Sequence, residues 1–407
     1  MEAYILDWLN LLGRWVHMIT GIAWIGASFY FIWLDNHLVP VKDPADDEKG
    51  VGGELWALHG GGIYHAQKYK LAPKKLPDHL HWFKWEAYTT WITGMFMMAL
   101  IYWYGADLYL IDPSVADLSK PVAIVIGIAT IVIGWLAYDF MCKSALGNDD
   151  KKLAIALFVF VSVVAFVLTQ IFSGRGAFMH YGAMLGTIMV GNVFFGIMPG
   201  QRALLASAEA GTPVDPEHGR KAKQRSVHNT YFTLPVLFVM ISNHYAMTYG
   251  HWLNWLILIG ISIAGALIRV YFVQRHFGRN KPMYLVVAAA ILLVTSFIMA
   301  PKPASNTTST TADTSADSIA EQNMLPMQAR AIIKARCSTC HASAPTQPGF
   351  AAAPKGVIYD TEHQINKQAV MIHQQAVVSK AMPLGNITQI TDEERSILDR
   401  WFQSLQE

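Results

Sequence analysis

The chain has 407 residues, 53% of them apolar and 15% charged, with a formal net charge of +2 at pH 7. That balance excludes an ordinary soluble protein, gives no electrostatic basis for binding nucleic acid, and points to a membrane protein of two or three domains. Three cysteines are too few for a disulfide framework.

The N-terminus lacks a basic segment, and its first apolar run has no small-residue cleavage site, so that run is read as a retained transmembrane helix. Eight apolar stretches approach or reach the ~20 residues that span ~30 Å of hydrocarbon. They are 8–34, 88–105, 122–141, 153–172, 178–198, 231–247, 252–272 and 283–300. Lys68, Lys70, Lys74, Lys75 and Lys84 lie in the first loop, and Lys143, Lys151 and Lys152 in the third. Arg202, Arg220, Lys221, Lys223 and Arg225 fill the fifth, and Arg275, Arg279 and Lys281 the seventh. Basic residues stay on the cytoplasmic side, so both termini are expected outside, in the periplasm of a bacterial inner-membrane protein.

The composition changes after residue 300. The stretch 301–317 (PKPASNTTSTTADTSAD) has no aromatic residue and reads as a flexible tether. Beyond it, Cys337-Ser338-Thr339-Cys340-His341 is the C-x-x-C-H signature of covalent haem. Two thiols are placed for thioether bonds to the porphyrin, and the adjacent imidazole can reach iron. A redox dithiol would sit in a βαβ context, and a zinc site would need two further ligands. Met382, about forty residues on and followed by Pro383, is the expected second axial ligand, with Met371 its competitor. The last helix opens on Thr391 with Glu394 three residues later, a capping-box pattern, and carries Ile397, Leu398, Trp401 and Leu405 toward the haem. His/Met ligation raises the reduction potential, so this unit is expected to accept electrons.

Ionisable groups inside membrane spans are functional candidates by default. His17 lies within the first span between Gly13 and Gly21, where a haem b could be seated, with Arg14 placed to pair with a propionate; the bland alternative is helix packing. His180 and His244 sit at similar depth near the outer ends of spans five and six and are further candidate haem b ligands. His37, His228 and His276 read as interfacial. The first loop combines glycines, aromatics and histidines. His59, His65, Lys84 and Glu86 are its candidate catalytic groups, against an interfacial aromatic belt as the alternative.

The runs GRWVHMITGIAWIGASFYFIWLDNHL, GGELWALHGGGIYHAQKY and LHWFKWEAYTTW, with the terminal CSTCH, together resemble the bacterial membrane-bound urate hydroxylases over essentially the whole chain. The first run also resembles, more distantly, copper-resistance membrane proteins and a haem-binding membrane protoporphyrinogen oxidase, which strengthens His17 as a haem b ligand. The family resemblance implies oxidation of urate to 5-hydroxyisourate, with water as the oxygen source and electrons passing to cytochrome c. The expected fold is therefore all-α. An eight-helix transmembrane catalytic module (1–300) is followed by a periplasmic linker (301–321) and a class I-like cytochrome c domain (322–407). The expected cofactors are covalent haem c and one or more haem b. The expected partners are urate, the lipid bilayer and a downstream respiratory electron acceptor. A site near the first loop and one near the outer histidines are equally compatible with the residues. Two rivals remain: a quinol-to-cytochrome c carrier without urate chemistry, and a haem-handling or metal-transport protein. A high-potential acceptor domain argues against transport.

Overall fold

The computed structural model describes residues 1–73, 75–213, 215–276, 278–300 and 316–406. The fold is mostly helical, and each expected span falls on a helix. α1 is Glu2–His37, α2 Trp85–Met97, α3 Lys120–Lys143, α4 Asp150–Thr169, α5 Gly174–Gly191, α6 Pro216–Ser242, α7 Asn254–His276 and α8 Met283–Ile298. Among the described residues five helices are long and apolar enough to cross a membrane: α1, α3, α4, α7, and α5 with its continuation to Ala210. α2 runs on through a π-helical segment, Met98–Tyr104, and α5 through another, Asn192–Ile197.

α6 starts well before the apolar stretch expected at 231–247. Asp215 caps it by accepting from the Glu217 amide at 2.8 Å, and Pro216 occupies its first turn. Arg220, Lys221, Lys223 and Arg225, expected in a loop, are therefore helical. Gly211, in the left-handed region at φ +66°, ends the helix that continues α5.

The expectation of an all-α chain is corrected at the first loop, where β1 (Val51–His59) and β2 (Gly62–Tyr69) form an antiparallel hairpin. Its turn is Gly60-Gly61, both at positive φ (58° and 80°), the backbone that matches the twist of paired strands. Trp56 and His65 pair across the strands with rings stacked 4.0 Å apart.

The main core lies among α3, α4, α5 and α7, around Phe172, Phe178, Tyr181, Met184 and Leu185. Close approach is allowed by small residues: a Cβ on Gly134 would stand 2.3 Å from the Met184 side chain.

Residues 301–315 of the expected linker lie outside the described residues, and α9 (Ala316–Arg336) begins directly after them. α9 packs on the last helix, α10 (Asp392–Ser404), in a separate core of Ile333, Ile365, Ile372, Leu398 and Trp401. The capping box is present: Thr391 Oγ1 accepts from the Glu394 amide at 3.2 Å, and Glu394 Oε2 accepts from the Thr391 amide at 2.9 Å. Leu405, expected on the covered face, is instead exposed.

This C-terminal unit rests against the end of the helical module where α1 begins and α2 ends. The turn Leu384–Asn386 meets the short helical turn Ala106–Tyr109. A Cβ on Gly385 would stand 2.7 Å from the Ile111 carbonyl oxygen and 3.0 Å from that of Asp107. A Cβ on Gly250 would meet the Ser379 carbonyl oxygen at 2.1 Å.

Candidate functional site

Two cavities lie end to end between α1, α2, α5 and α6 and share Trp24, Ile25, Met189 and Thr233 in their walls. The one on the side expected to face outward, termed the outer cavity, has a volume of about 420 Å³ and is mainly apolar. His17, His244 and Arg14 line it, as do Gly21, Gly94 and Gly186. His17 Nδ1 lies 3.0 Å from the Thr90 carbonyl oxygen and 3.0 Å from Thr93 Oγ1. A carbonyl can only accept, so the ring donates from Nδ1 and keeps a lone pair on Nε2. A second bond of this kind orients a metal-ligating histidine. Gly94 packs on the ring, where a Cβ would stand 3.0 Å from Cε1. Gly13 has the bland role: it packs on Phe96 of α2. The histidines, the small residues and the arginine at the outer end fit a planar macrocycle carrying carboxylates.

His180 sits elsewhere. It is fully buried, with Nδ1 2.9 Å from the Gly176 carbonyl oxygen and Nε2 accepting from Trp103 Nε1 at 3.2 Å. Both ring nitrogens are engaged inside the core. The structure thus brings His17 and His244 to one cavity and leaves His180 outside it.

Above the outer cavity, Arg175 Nε donates to Asn243 Oδ1 at 2.8 Å, the Tyr102 hydroxyl donates to the same atom at 2.9 Å, and the Arg175 guanidinium covers Tyr109 at 4.8 Å. Tyr109 belongs to the turn on which the C-terminal unit rests.

The inner cavity, of about 490 Å³, is different in character. Trp24, Phe31, Trp82 and Phe83 offer flat faces, while Ser28, Gln201, Ser226, Asn229 and His81 offer hydrogen-bonding groups. His81 and Trp82 come from the segment just before α2, so this segment walls the cavity. Glu86, in the first turn of α2, lies behind His81: Oε1 is 3.8 Å from His81 Nε2, and Oε2 is buried without a partner. Lys84 lies between Trp82 and Trp85, 5.6 and 5.9 Å from their ring centres. His59 is exposed at the end of β1, and His65 pairs with Glu54 at 2.7 Å. The four loop candidates therefore divide. Lys84 and Glu86 flank the cavity wall, whereas His59 and His65 belong to the hairpin.

A buried polar network braces the inner cavity. Asn192, at the start of the second π-helical segment, donates to Asn229 Oδ1 at 2.8 Å and to the Tyr138 hydroxyl at 2.9 Å. Arg225 donates to Asn192 Oδ1 at 3.0 Å and to Asp139 at 2.7 Å. His228, expected to be interfacial, is held 2.8 Å from the Tyr138 hydroxyl. Sequence reasoning missed this network. Arg225 reads in the sequence only as a cytoplasmic charge, although Asn192, a polar residue inside an apolar span, is a usable signal.

In the C-terminal unit, Cys337 and Cys340 follow directly from α9, and His341 Nδ1 lies 3.0 Å from the Val357 carbonyl oxygen, again leaving Nε2 free. Burial pushes the Cys337 thiol up to about 12, with Cys340 nearby adding to the effect. A redox dithiol needs the opposite, a thiolate near neutral pH. A buried neutral thiol beside an oriented imidazole fits covalent haem. Burial likewise lowers His341, keeping its ring neutral and available to a metal. Arg395 holds the Met382 carbonyl at 2.9 Å, while Met371 is half exposed.

Neither a curated protein nor a solved structure matches the chain. A family model described as the urate oxidase N-terminal family matches residues 3–300, the whole helical module with both cavities and the hairpin. The chain belongs to the urate oxidase N-terminal family.

Proposed function

We propose that the protein is a membrane-bound urate hydroxylase that binds urate in the inner cavity and passes electrons to a haem on its C-terminal unit. The observation that carries this reading is the pair of adjoining cavities. One is aromatic and amide-lined beside the first loop; the other is apolar and holds His17 and His244. Together they lead toward the face on which the C-terminal unit rests.

Urate is a planar anion whose edge alternates N–H donors and carbonyl acceptors. Trp24 and Trp82 provide stacking faces, and Gln201 and Ser226 provide matching donors and acceptors. Lys84, at the rim, favours the anion. Oxidation of the monoanion with water yields 5-hydroxyisourate, one proton and two electrons. His81, backed by Glu86, is placed to take the proton from water as it attacks. The charge that develops is met by these fixed groups. A haem held by Cys337, Cys340, His341 and Met382, and a second held by His17 and His244, would supply the one-electron acceptors that such an oxidation needs without dioxygen. Arg14 would meet a propionate. The spans and the loop charges support an inner-membrane location, with the C-terminal unit in the periplasm delivering to a respiratory acceptor.

The test is substitution at the cavity wall. Glu86→Gln and His81→Asn should lower kcat for urate by about 10²–10⁴, the usual worth of a general base, and leave haem spectra unchanged. Full activity in both variants would remove the inner cavity as the site.

A second reading has one observation in its favour. A cavity of about 680 Å³ between α4, α6 and α7 is apolar along Leu157, Phe158 and Ile263 and ends at His228, Tyr231 and Gln224. A quinol would fit there, and it would make the chain a quinol-to-cytochrome c carrier. Reduction of the haems by quinol but not by urate would select that reading.

A further inference from the structure

Arg269 lies in α7, seven residues before its inner end at His276, which is about 10 Å along the helix at 1.5 Å per residue. It is 6% exposed, and neither Nε nor Nη2 has a hydrogen-bond partner. Its guanidinium covers the Phe29 ring of α1 at 3.7 Å. Among the described residues no carboxylate pairs with it. The groups that face its charge are Tyr231 of α6 and, toward the inner end, His276. His276 meets His37 of α1 edge to face at 5.1 Å. Arg275, Arg279 and Lys281 follow at the same end.

A buried cation without a counter-charge is costly, and a charged group inside a membrane span is usually paired. The chain does not provide the anion here. Arginine side chains at this depth reach toward the nearest headgroup layer, and basic crevices between helices on the cytoplasmic side bind acidic lipid headgroups. On either side of the place where α7 meets α1, large apolar side chains are exposed, among them Tyr30 on α1 and Phe272 on α7, which suit acyl chains.

We propose that the junction of α1 and α7 binds the phosphodiester of an acidic inner-leaflet phospholipid, with Arg269 as its principal partner and His276 and Arg275 at its rim. The phosphodiester supplies the missing counter-charge and ties α7 to α1. A free phosphate offers the same chemistry without the chains, so the test separates the two.

Thermal unfolding of the full chain in detergent is followed with added phosphatidylglycerol, phosphatidylcholine or inorganic phosphate. Phosphatidylglycerol alone should raise the midpoint, and Arg269→Met should abolish that rise. Without lipid, Arg269→Met should melt above the wild type, because it removes an unpaired buried charge. An equal rise with phosphatidylcholine, an Arg269-dependent rise with inorganic phosphate alone, or a variant that keeps its response would each overturn the proposal. So would a variant that melts lower than wild type without lipid. Native mass spectrometry gives a reading independent of any variant. Retention of phosphatidylglycerol in preference to phosphatidylcholine is expected, and no preference would overturn the proposal.

Discussion

Gly385→Ala should weaken the docking of the C-terminal unit on the helical module by more than its backbone cost alone explains. Gly385 has φ +55°, and a Cβ there would stand 2.7 Å from the Ile111 carbonyl oxygen, 3.0 Å from that of Asp107 and 3.4 Å from that of Leu108. These are main-chain atoms, which cannot swing aside as a side-chain tip can. Two costs arise. The left-handed backbone costs an L-residue roughly 1–2 kcal/mol whether or not the unit is docked. The clash adds roughly 1–3 kcal/mol, the usual cost of overpacking, and only in the docked state. The second cost alone lowers the docking equilibrium constant roughly 5- to 150-fold, by the conversion that applies to couplings of that size. Gly356 supplies the control: its φ is +66° and nothing lies within 4 Å of a Cβ there. Gly356→Ala therefore pays the backbone cost without the clash. In stopped-flow measurements of haem c reduction by urate, Gly385→Ala should be slower than Gly356→Ala, by up to that factor, with both fully reducible by dithionite. Equal rates in the two variants would refute this docking contact as part of the electron route.

His17→Ala should remove b-type absorbance and leave the c-type bands intact; unchanged b-type bands in the purified variant would exclude His17 as a ligand. The same measurement on His180→Ala should leave the b-type bands in place, because both of its ring nitrogens are already engaged within the core. In protein lacking covalent haem, Cys337 should alkylate at pH 8 far more slowly than an unfolded thiol, because its thiol is pushed up to about 12 and only thiolate reacts. The linked stability has a definite sign. With the folded pKa raised, the contribution is complete below the unfolded value and is lost as pH rises from there through about 12; unfolding midpoints insensitive to pH above 9 would contradict it. Asp139→Asn strips the carboxylate from Arg225, whose Nη2 it holds at 2.7 Å, and should destabilise the module by about 3–5 kcal/mol. The Asp139→Leu/Arg225→Met pair should cost much less, and a thermal shift assay in detergent compares the two.

The features legible in the sequence were those set by local chemistry. The eight helical stretches follow from apolar length, and the cap of the last helix follows from Thr391 and Glu394. The C-x-x-C-H spacing needs no tertiary context to be read. Other features depended on which helices become neighbours. The hairpin was hidden because its glycine-rich turn and aromatic strands also suit an irregular interfacial loop. Gly60-Gly61 was the local clue, and the Trp56–His65 pairing across strands was not visible without the register. Arg225 looked like any cytoplasmic charge until the early start of α6 carried it inward to Asp139 and Asn192. By depth along the spans His180 and His244 read as the matched pair and His17 as deeper than either, whereas the structure places His17 with His244. The neighbours explain the difference: Trp103 and the Gly176 carbonyl satisfy His180, whereas His17 and His244 face the same cavity. The grouping of Lys84 and Glu86 apart from His59 and His65 was likewise set by the hairpin, which holds its histidines away from the segment that enters α2.

The central claim is that urate itself delivers electrons to the haem of the C-terminal unit. Its most direct test is a visible difference spectrum of the purified full chain before and after anaerobic addition of urate. The reduced c-type bands should appear with urate as the sole donor, accompanied by b-type bands from the cavity at His17. If dithionite reduces the haems and urate does not, while a quinol does, the urate assignment is contradicted and the cavity at His228 becomes the donor site.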